Sequence, residues 1–353
     1  MYVAWRDLRF ARGRFALIGA VVALITLLVG FLSGLTGGLA AQNVSAVLAL
    51  PGDRLVLQPA GDAAATFADS AIDGATVDAW REAAGVDAVA PVGITQTRAA
   101  GPGASTAVAL FGLDAGTTFA APRRDDEIDL STGAAQNLGA AVGDEVTIAG
   151  SSYRVTAIGG DDWYSHTPVV TLTSNAWAAL DQRLGGTGQP TVLAVSGSPA
   201  WDTVAADTGT TASSPLSSLT ALSTFRSEIG SLALMIAMLF GVSALVVGAF
   251  FTVWTMQRSG DIAVLKALGA STPALVRDAL GQALVVLALG VGVGIGLTAL
   301  LGALAGGALP FVLSPLTTLV PAAIMIALGL LGAVVSLRTV TSSDPLTALG
   351  STR

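Results

Sequence analysis

From Ile229 to Met256 the chain carries no charged residue. A helix crosses the hydrocarbon core of a bilayer with about 20 apolar residues, so this run is long enough to span one. Three further runs have the same character: Phe15 to about Thr36, Leu280–Leu304 and Leu316–Leu337. Composition agrees with an integral membrane protein. Only 12% of the 353 residues are charged and mean hydropathy is +0.71, where soluble domains carry about 25% charged residues. The first run exceeds the roughly 7–15 residues of a signal-peptide core, so it reads as an uncleaved anchor.

Charge distribution orients the spans. Residues 1–14 and the segments beyond 257 hold nine Arg/Lys against four acids, a net of +5, while Asp53–Glu228 holds eight Arg against twenty acids, a net of -12. Short basic segments stay in the cytoplasm. Both termini and the 257–279 loop are therefore expected inside, and the acidic insertion outside. An acidic domain on a membrane argues against nucleic acid as a partner. The absence of cysteine excludes disulfides and thiol catalysis, and the single histidine, His166, excludes a multi-histidine metal site within one subunit.

The expected fold is a four-helix membrane protein, N-in and C-in, with an α+β extracellular domain between the first and second spans. In order, it has a cytoplasmic interfacial segment over 1–14, a first span over 15–36, a stalk over 37–52 and the outer domain over 53–212. A stalk helix over 213–228 follows, with Ser214 as N-cap, Pro215 at the first position and Leu219, Leu222, Phe225 and Ile229 as an apolar stripe. The rest comprises a second span over 229–256, a cytoplasmic loop over 257–279, a third span over 280–304, a short outer turn over 305–315, a fourth span over 316–337 and a cytoplasmic tail over 338–353. In the outer domain, β-branched content predicts strands over Arg54–Gln58, Ala88–Thr97, Thr106–Gly112, Glu145–Ala149, Tyr153–Ile158 and Val169–Leu172, with helices over Thr76–Ala84 and Ser131–Ala140.

The second span is followed at once by Arg258-Ser259-Gly260-Asp261-Ile262-Ala263-Val264-Leu265-Lys266-Ala267-Leu268-Gly269-Ala270-Ser271. Ile262, Leu265 and Leu268 recur at helical spacing and Gly269 suits a C-terminal cap, so this is a short amphipathic helix able to dock onto a partner. The segment resembles the coupling segment of MacB/FtsX-type ABC transporter permeases at Arg258, Asp261, Ile262, Leu265, Lys266, Ala267, Leu268, Gly269 and Ala270, with Asp where that family more often has Glu. The helix–Val142-Gly143-Asp144–hairpin stretch of the outer domain and the tail ending Asp344-Pro345-Leu346-Thr347-Ala348-Leu349 also resemble that family. The resemblance implies a homodimer working with a separate ABC ATPase subunit, which would carry ATP and magnesium and bind at the coupling helix.

Nothing in the chain itself supplies ATP chemistry. Gly260 to Lys266 has the glycine-to-lysine spacing of a phosphate loop but lacks its second glycine and the following Ser or Thr. The glycines at 290, 292, 294 and 296 follow no strand, and their i,i+4 pairs (290/294 and 292/296) read as sites of close helix approach in lipid. No catalytic constellation and no intrinsic cofactor are expected.

Two places are candidates for a ligand. Glu228, beside Arg226, is the acid at the outer mouth of the second span, and Phe225, Met235 and Met238 would rim it. Ionisable groups at membrane depth are costly and mark functional sites; in a two-fold dimer this acid would occur twice. Equally, it is an interfacial carboxylate reaching water. His166 and Tyr164 lie in an aromatic loop that either ligates haem or is ordinary structure. The resemblance implies export of a hydrophobic or amphipathic substrate from the outer side of a bacterial plasma membrane. Within the family the compact chain is similar to haem exporters of the HrtB type, which points to haem, with small hydrophobic drugs, peptides or lipids as the other substrate classes. The alternative is an FtsX-like transmitter, whose outer domain activates a cell-wall hydrolase.

Overall fold

A computed structural model describes residues 12–114, 121–257, 260, 264, 268–269, 271–305 and 309–341. In chain order the elements are α1 (Arg12–Leu48), β1 (Arg54–Leu57), α2 (Gly74–Glu82), β2 (Val86–Ala100), β3 (Ser105–Leu113), β4 (Glu127–Leu130), α3 (Thr132–Leu138), β5 (Glu145–Ile148), β6 (Ser151–Ile158), β7 (Trp163–Tyr164), β8 (Thr167–Thr173), α4 (Ser174–Arg183), β9 (Val192–Gly197), α5 (Trp201–Asp207), β10 (Thr211–Ser213), α6 (Pro215–Ser218), a 3-10 turn (Leu219–Ala221), α7 (Ser223–Gln257), α8 (Thr272–Ala305) and α9 (Pro315–Thr341). They divide into an outer unit, Leu39–Gly230, and a membrane unit made of the chain on either side of it.

The outer unit has a ten-stranded sheet system. Six strands close on themselves: β2–β3–β8–β4–β6–β5, with the end of β2 returning to β5 through Ala99↔Ile148 and Ala100↔Thr147. The β3–β8 and β4–β6 pairs are parallel and the others antiparallel. Closure removes sheet edges, and the interior is filled by Val108, Leu110, Ile128, Val146, Val155 and Leu172, with α3 and α4 packed on it. The tight side of this core lies over Gly93 and Gly112, which face each other across β2 and β3 and meet the ring of Trp177. A side chain at either position would overlap that ring.

The fifteen-residue β2 runs on into a second sheet, pairing along its first half with β9, which pairs β1, which pairs β10. Strand side chains alternate between faces. On β1, Leu55 and Leu57 therefore face a core shared with Val44 and Val47 of α1 and with Leu50 just beyond it, while Val56 faces Val77 and Trp80 of α2 and Ala205 of α5. The end of α1 is thus a structural element of the outer unit. So is the approach to α7. The single four-turn stalk helix expected over 213–228 is not formed: Ser214 caps α6 as expected, but the chain leaves helical geometry at Leu222, whose ψ is 108°, before α7 begins. Burial explains the break, because Leu219 and Leu222 turn into the core beside Val47 and Leu55 rather than lining a helical stripe.

Among the described residues four helices are long and apolar enough to span: Phe15–Leu48, Ser223–Gln257, Thr272–Ala305 and Pro315–Leu337. Their shared core includes Val22, Val29, Phe251, Leu287, Val291 and Met325. In lipid such packing relies on close approach rather than water exclusion. Gly290 and Gly294 supply it, since a Cβ there would lie 2.9 Å from the Gly19 carbonyl oxygen and 2.6 Å from Thr26 Cβ. Gly34 and Gly302 likewise leave room for the ring of Phe311. The second expected pair, Gly292 and Gly296, has nothing within 4 Å. Of the coupling segment, Arg258, Asp261, Ile262, Leu265, Lys266, Ala267 and Ala270 lie outside the described residues; Leu268 is 79% exposed and Gly269 has φ +94°, the left-handed geometry of a helix C-terminal residue.

These contacts predict an asymmetry. Gly294→Val should lower stability by about 1–3 kcal/mol, because the site is already full, whereas Gly292→Val should change it by no more than about 0.5 kcal/mol. Thermal unfolding of the detergent-solubilised protein reads both, and equal effects would contradict the assignment of the α1–α8 contact.

Candidate functional site

The site is built around a short hairpin. β7 pairs only with β8, in the register Trp163↔Pro168 and Tyr164↔Thr167, which leaves Ser165 and His166 as a two-residue turn. Tyr164 fixes the hairpin in place: it is buried, with its ring edge-on to Phe67 and Phe111 at 6.3 and 5.8 Å. Burial pushes its phenol well above the ordinary tyrosine range. The Trp163 backbone N–H donates to Ser45 Oγ of α1 at 2.9 Å. At the tip, the N–H groups of Ser165 and His166 donate to the carbonyl oxygens of Asn43 and Gln42, each at 3.0 Å.

Both turn residues have positive φ, +46° for Ser165 and +63° for His166. Two-residue hairpin turns of this kind normally use Asn-Gly or similar pairs, because side chains with a Cβ resist that conformation. The outer unit's other two-residue hairpin, between β5 and β6, turns through Ala149-Gly150 with φ +48° and +82°. The β7–β8 turn carries histidine where that one carries glycine.

The geometry places the imidazole against α7. His166 Nε2 lies 2.7 Å from Glu228 Oε2. Asn43, fully buried on α1, donates from Nδ2 to the same carboxylate oxygen at 3.2 Å and lies 3.4 Å from His166 Nε2. The Asn43 amide oxygen accepts from Thr224 Oγ1 at 3.3 Å, and Thr224 Oγ1 is 3.3 Å from Ser165 Oγ. At 2.7 Å the imidazole nitrogen and the carboxylate oxygen are within hydrogen-bond distance. The His166 and Glu228 side chains are about one-third exposed, at 35% and 28%, so the pair is reachable from solvent while its supporting amide is not. Just before the hairpin, burial raises the Asp162 carboxyl above its ordinary value, and the neighbouring charge of Asp161 adds to this.

The two candidate places of the sequence therefore form one site: Glu228 and His166, expected as alternative ligands, are hydrogen-bonded partners. Tyr164 is a core residue rather than a ligand, its hydroxyl disfavoured as a phenolate by burial. Phe225 packs on the apolar core beside the site, and Arg226 is exposed. Met235 and Met238 are exposed and belong to the membrane unit. Asn43 was not among the sequence candidates. Its signal was an amide in an otherwise apolar stretch, and only the fold shows that it holds both members of the pair.

Residues 17–211 match a family model described as the MacB-like periplasmic core domain, and residues 233–345 match the FtsX-like permease C-terminal model. Asn43 and His166 lie within the first match, and Glu228 lies in the interval between the two. Over 359 residues, 99% of each chain, the sequence is 26% identical to a putative hemin transport system permease protein HrtB of Staphylococcus haemolyticus. It is also 26% identical over 376 residues, 99% of each chain, to an uncharacterized ABC transporter permease of Mycobacterium bovis. The crystal structure of the periplasmic region of MacB from Actinobacillus actinomycetemcomitans aligns with 48% of this chain and 91% of its own, at 9% identity and a TM-score of 0.35.

Removing the buried amide tests the network. Asn43→Ala removes a fully buried amide together with its hydrogen bonds to Glu228 and Thr224, each worth about 0.5–1.5 kcal/mol. The full-length protein should unfold at a lower temperature than wild type; an unchanged midpoint would show that Asn43 supports nothing.

Proposed function

This chain belongs to the MacB/FtsX-type ABC transporter permeases, and from that premise we propose that it is the permease of an efflux system whose cargo is haem or a closely similar amphipathic metal complex. It is a multi-pass membrane protein with a large extracellular domain, and members of its family are permease subunits rather than enzymes. ATP with magnesium is bound and hydrolysed on a separate ATPase subunit, which engages the cytoplasmic segment containing Leu268 and Gly269. Two copies of the permease form a homodimer. The largely unburied apolar face of α7, including Leu234, Val242 and Leu245, supports this, being available to a second copy and to lipid.

The observation that carries the cargo reading is the His166–Glu228 pair. A carboxylate and an imidazole are both ligands for ferric haem, and the pair directly precedes the uncharged run of the second span. The name borne by the Staphylococcus haemolyticus relative supports the same cargo. Glu228 is the primary ligand and Asn43 its positioning residue.

A hemin titration of the detergent-purified protein followed by absorption tests this. Saturable binding with a Soret shift is expected, and Glu228→Ala should weaken it at least about tenfold, the loss of a single charged contact. Absence of saturable binding would sink the haem reading and favour the FtsX-like transmitter, whose outer domain binds a protein. The coupling reading has its own test. Leu268→Asp puts a charge on an exposed apolar side chain of the expected docking helix, and co-purification of the ATPase subunit should fall while the permease itself stays folded. Retained co-purification would place the ATPase elsewhere.

A further inference from the structure

We propose that His166 is a specificity-determining residue that competes with the cargo for Glu228, so that the β7–β8 turn holds the site closed against ligands unable to displace an imidazole. The inference rests on the reading of Glu228 as the cargo ligand and adds how that ligand is guarded.

Three observations carry it. The carboxylate oxygen that a metal would take, Oε2, already accepts hydrogen bonds from His166 Nε2 at 2.7 Å and Asn43 Nδ2 at 3.2 Å. The turn that delivers the imidazole is strained at two consecutive non-glycine residues, +46° and +63°, and strain of this kind persists only where surrounding contacts over-determine it. Those contacts are present as the two backbone N–H bonds to Gln42 and Asn43 of α1. Finally, β7 is two residues long and pairs with β8 alone, so the tip can shift without opening the closed six-stranded sheet.

The exchange is chemically balanced. A metal centre approaching Glu228 forms one metal–oxygen bond, the hydrogen bond from Nε2 breaks, and its proton leaves with the imidazole. No electron is transferred. A neutral apolar molecule offers the carboxylate nothing in return for that hydrogen bond, so the guard admits ligands bearing a Lewis-acidic metal and turns away metal-free analogues of the same shape.

The full-length protein, purified in detergent, is titrated with hemin and with metal-free protoporphyrin, as wild type, His166→Ala and Glu228→Ala. With the competitor removed, His166→Ala should bind hemin about five- to tenfold more tightly than wild type, and the gap between hemin and protoporphyrin should narrow. Unchanged or weaker hemin binding by His166→Ala overturns the proposal and makes His166 a ligand or a bystander. If neither wild type nor His166→Ala binds hemin, the haem reading fails on its own, and the guard is judged by hydrogen exchange of the Tyr164–Thr167 amides. Glu228→Ala should speed that exchange at least about threefold if the carboxylate holds the turn; unchanged exchange overturns the guard whatever the cargo.

Discussion

A hydrocarbon interior offers no hydrogen-bond partner to a peptide group, and that single condition sets the plan of this chain. Every segment that enters it must satisfy its own backbone, which leaves the helix as the available form for α1, α7, α8 and α9. The chain's charged residues are correspondingly driven out of the runs between Phe15 and Thr36 and between Ile229 and Met256. Two of these helices do not stop where their apolar runs stop. The last turns of α1 and the first turn of α7 contribute Val44, Val47 and Phe225 to the core of the outer unit. The outer unit is therefore built partly from the ends of spanning helices, and the polar groups of those ends, Asn43 and Glu228, become part of its interior chemistry.

Close approach is achieved by the same device in both units but for different physical reasons. In the outer unit Gly93 and Gly112 admit the flat face of Trp177 into an apolar core, where burial from water supplies the stabilisation. Among the membrane helices there is no such gain, because lipid is as apolar as the side chains, and Gly290 and Gly294 act by letting α1 and α8 touch over their backbones. The spacing of four that the sequence shows at both 290/294 and 292/296 is thus not enough to identify a contact. Which pair is used depends on the face that α8 turns towards α1.

The spans were legible because their signal is compositional and long. The strands with β-branched content, such as Ser151–Ile158 and Thr167–Thr173, were legible for a similar reason. Among the short strands Arg54–Leu57 and Glu145–Ile148 were legible, whereas Glu127–Leu130, Thr211–Ser213 and the two-residue Trp163–Tyr164 were not, because their existence depends on neighbours distant in sequence. Ser174–Arg183 was obscured differently, since its apolar face, Ala176, Trp177 and Leu180, is brief and follows a strand without a break. The site was legible only in pieces. Glu228 and His166 each stood out, one as an acid beside an uncharged run and one as the single histidine, yet nothing in their spacing of 62 residues indicates that they touch. That fact depends on the handedness of one two-residue turn and on where Tyr164 is buried.

The pairing also accounts for why these two residues belong together irrespective of cargo. A carboxylate at the head of a long uncharged helix is costly to strip of water unless a partner replaces the lost hydration. His166 and Asn43 are that replacement, one hydrogen-bonded to Oε2 and the other donating to it from a fully buried position. The requirement is for a partner, not for that partner. A metal centre satisfies it as well as an imidazole does, with a stronger bond to the same oxygen. The demand for a partner that His166 meets is therefore the same demand that the proposed cargo would meet at Oε2.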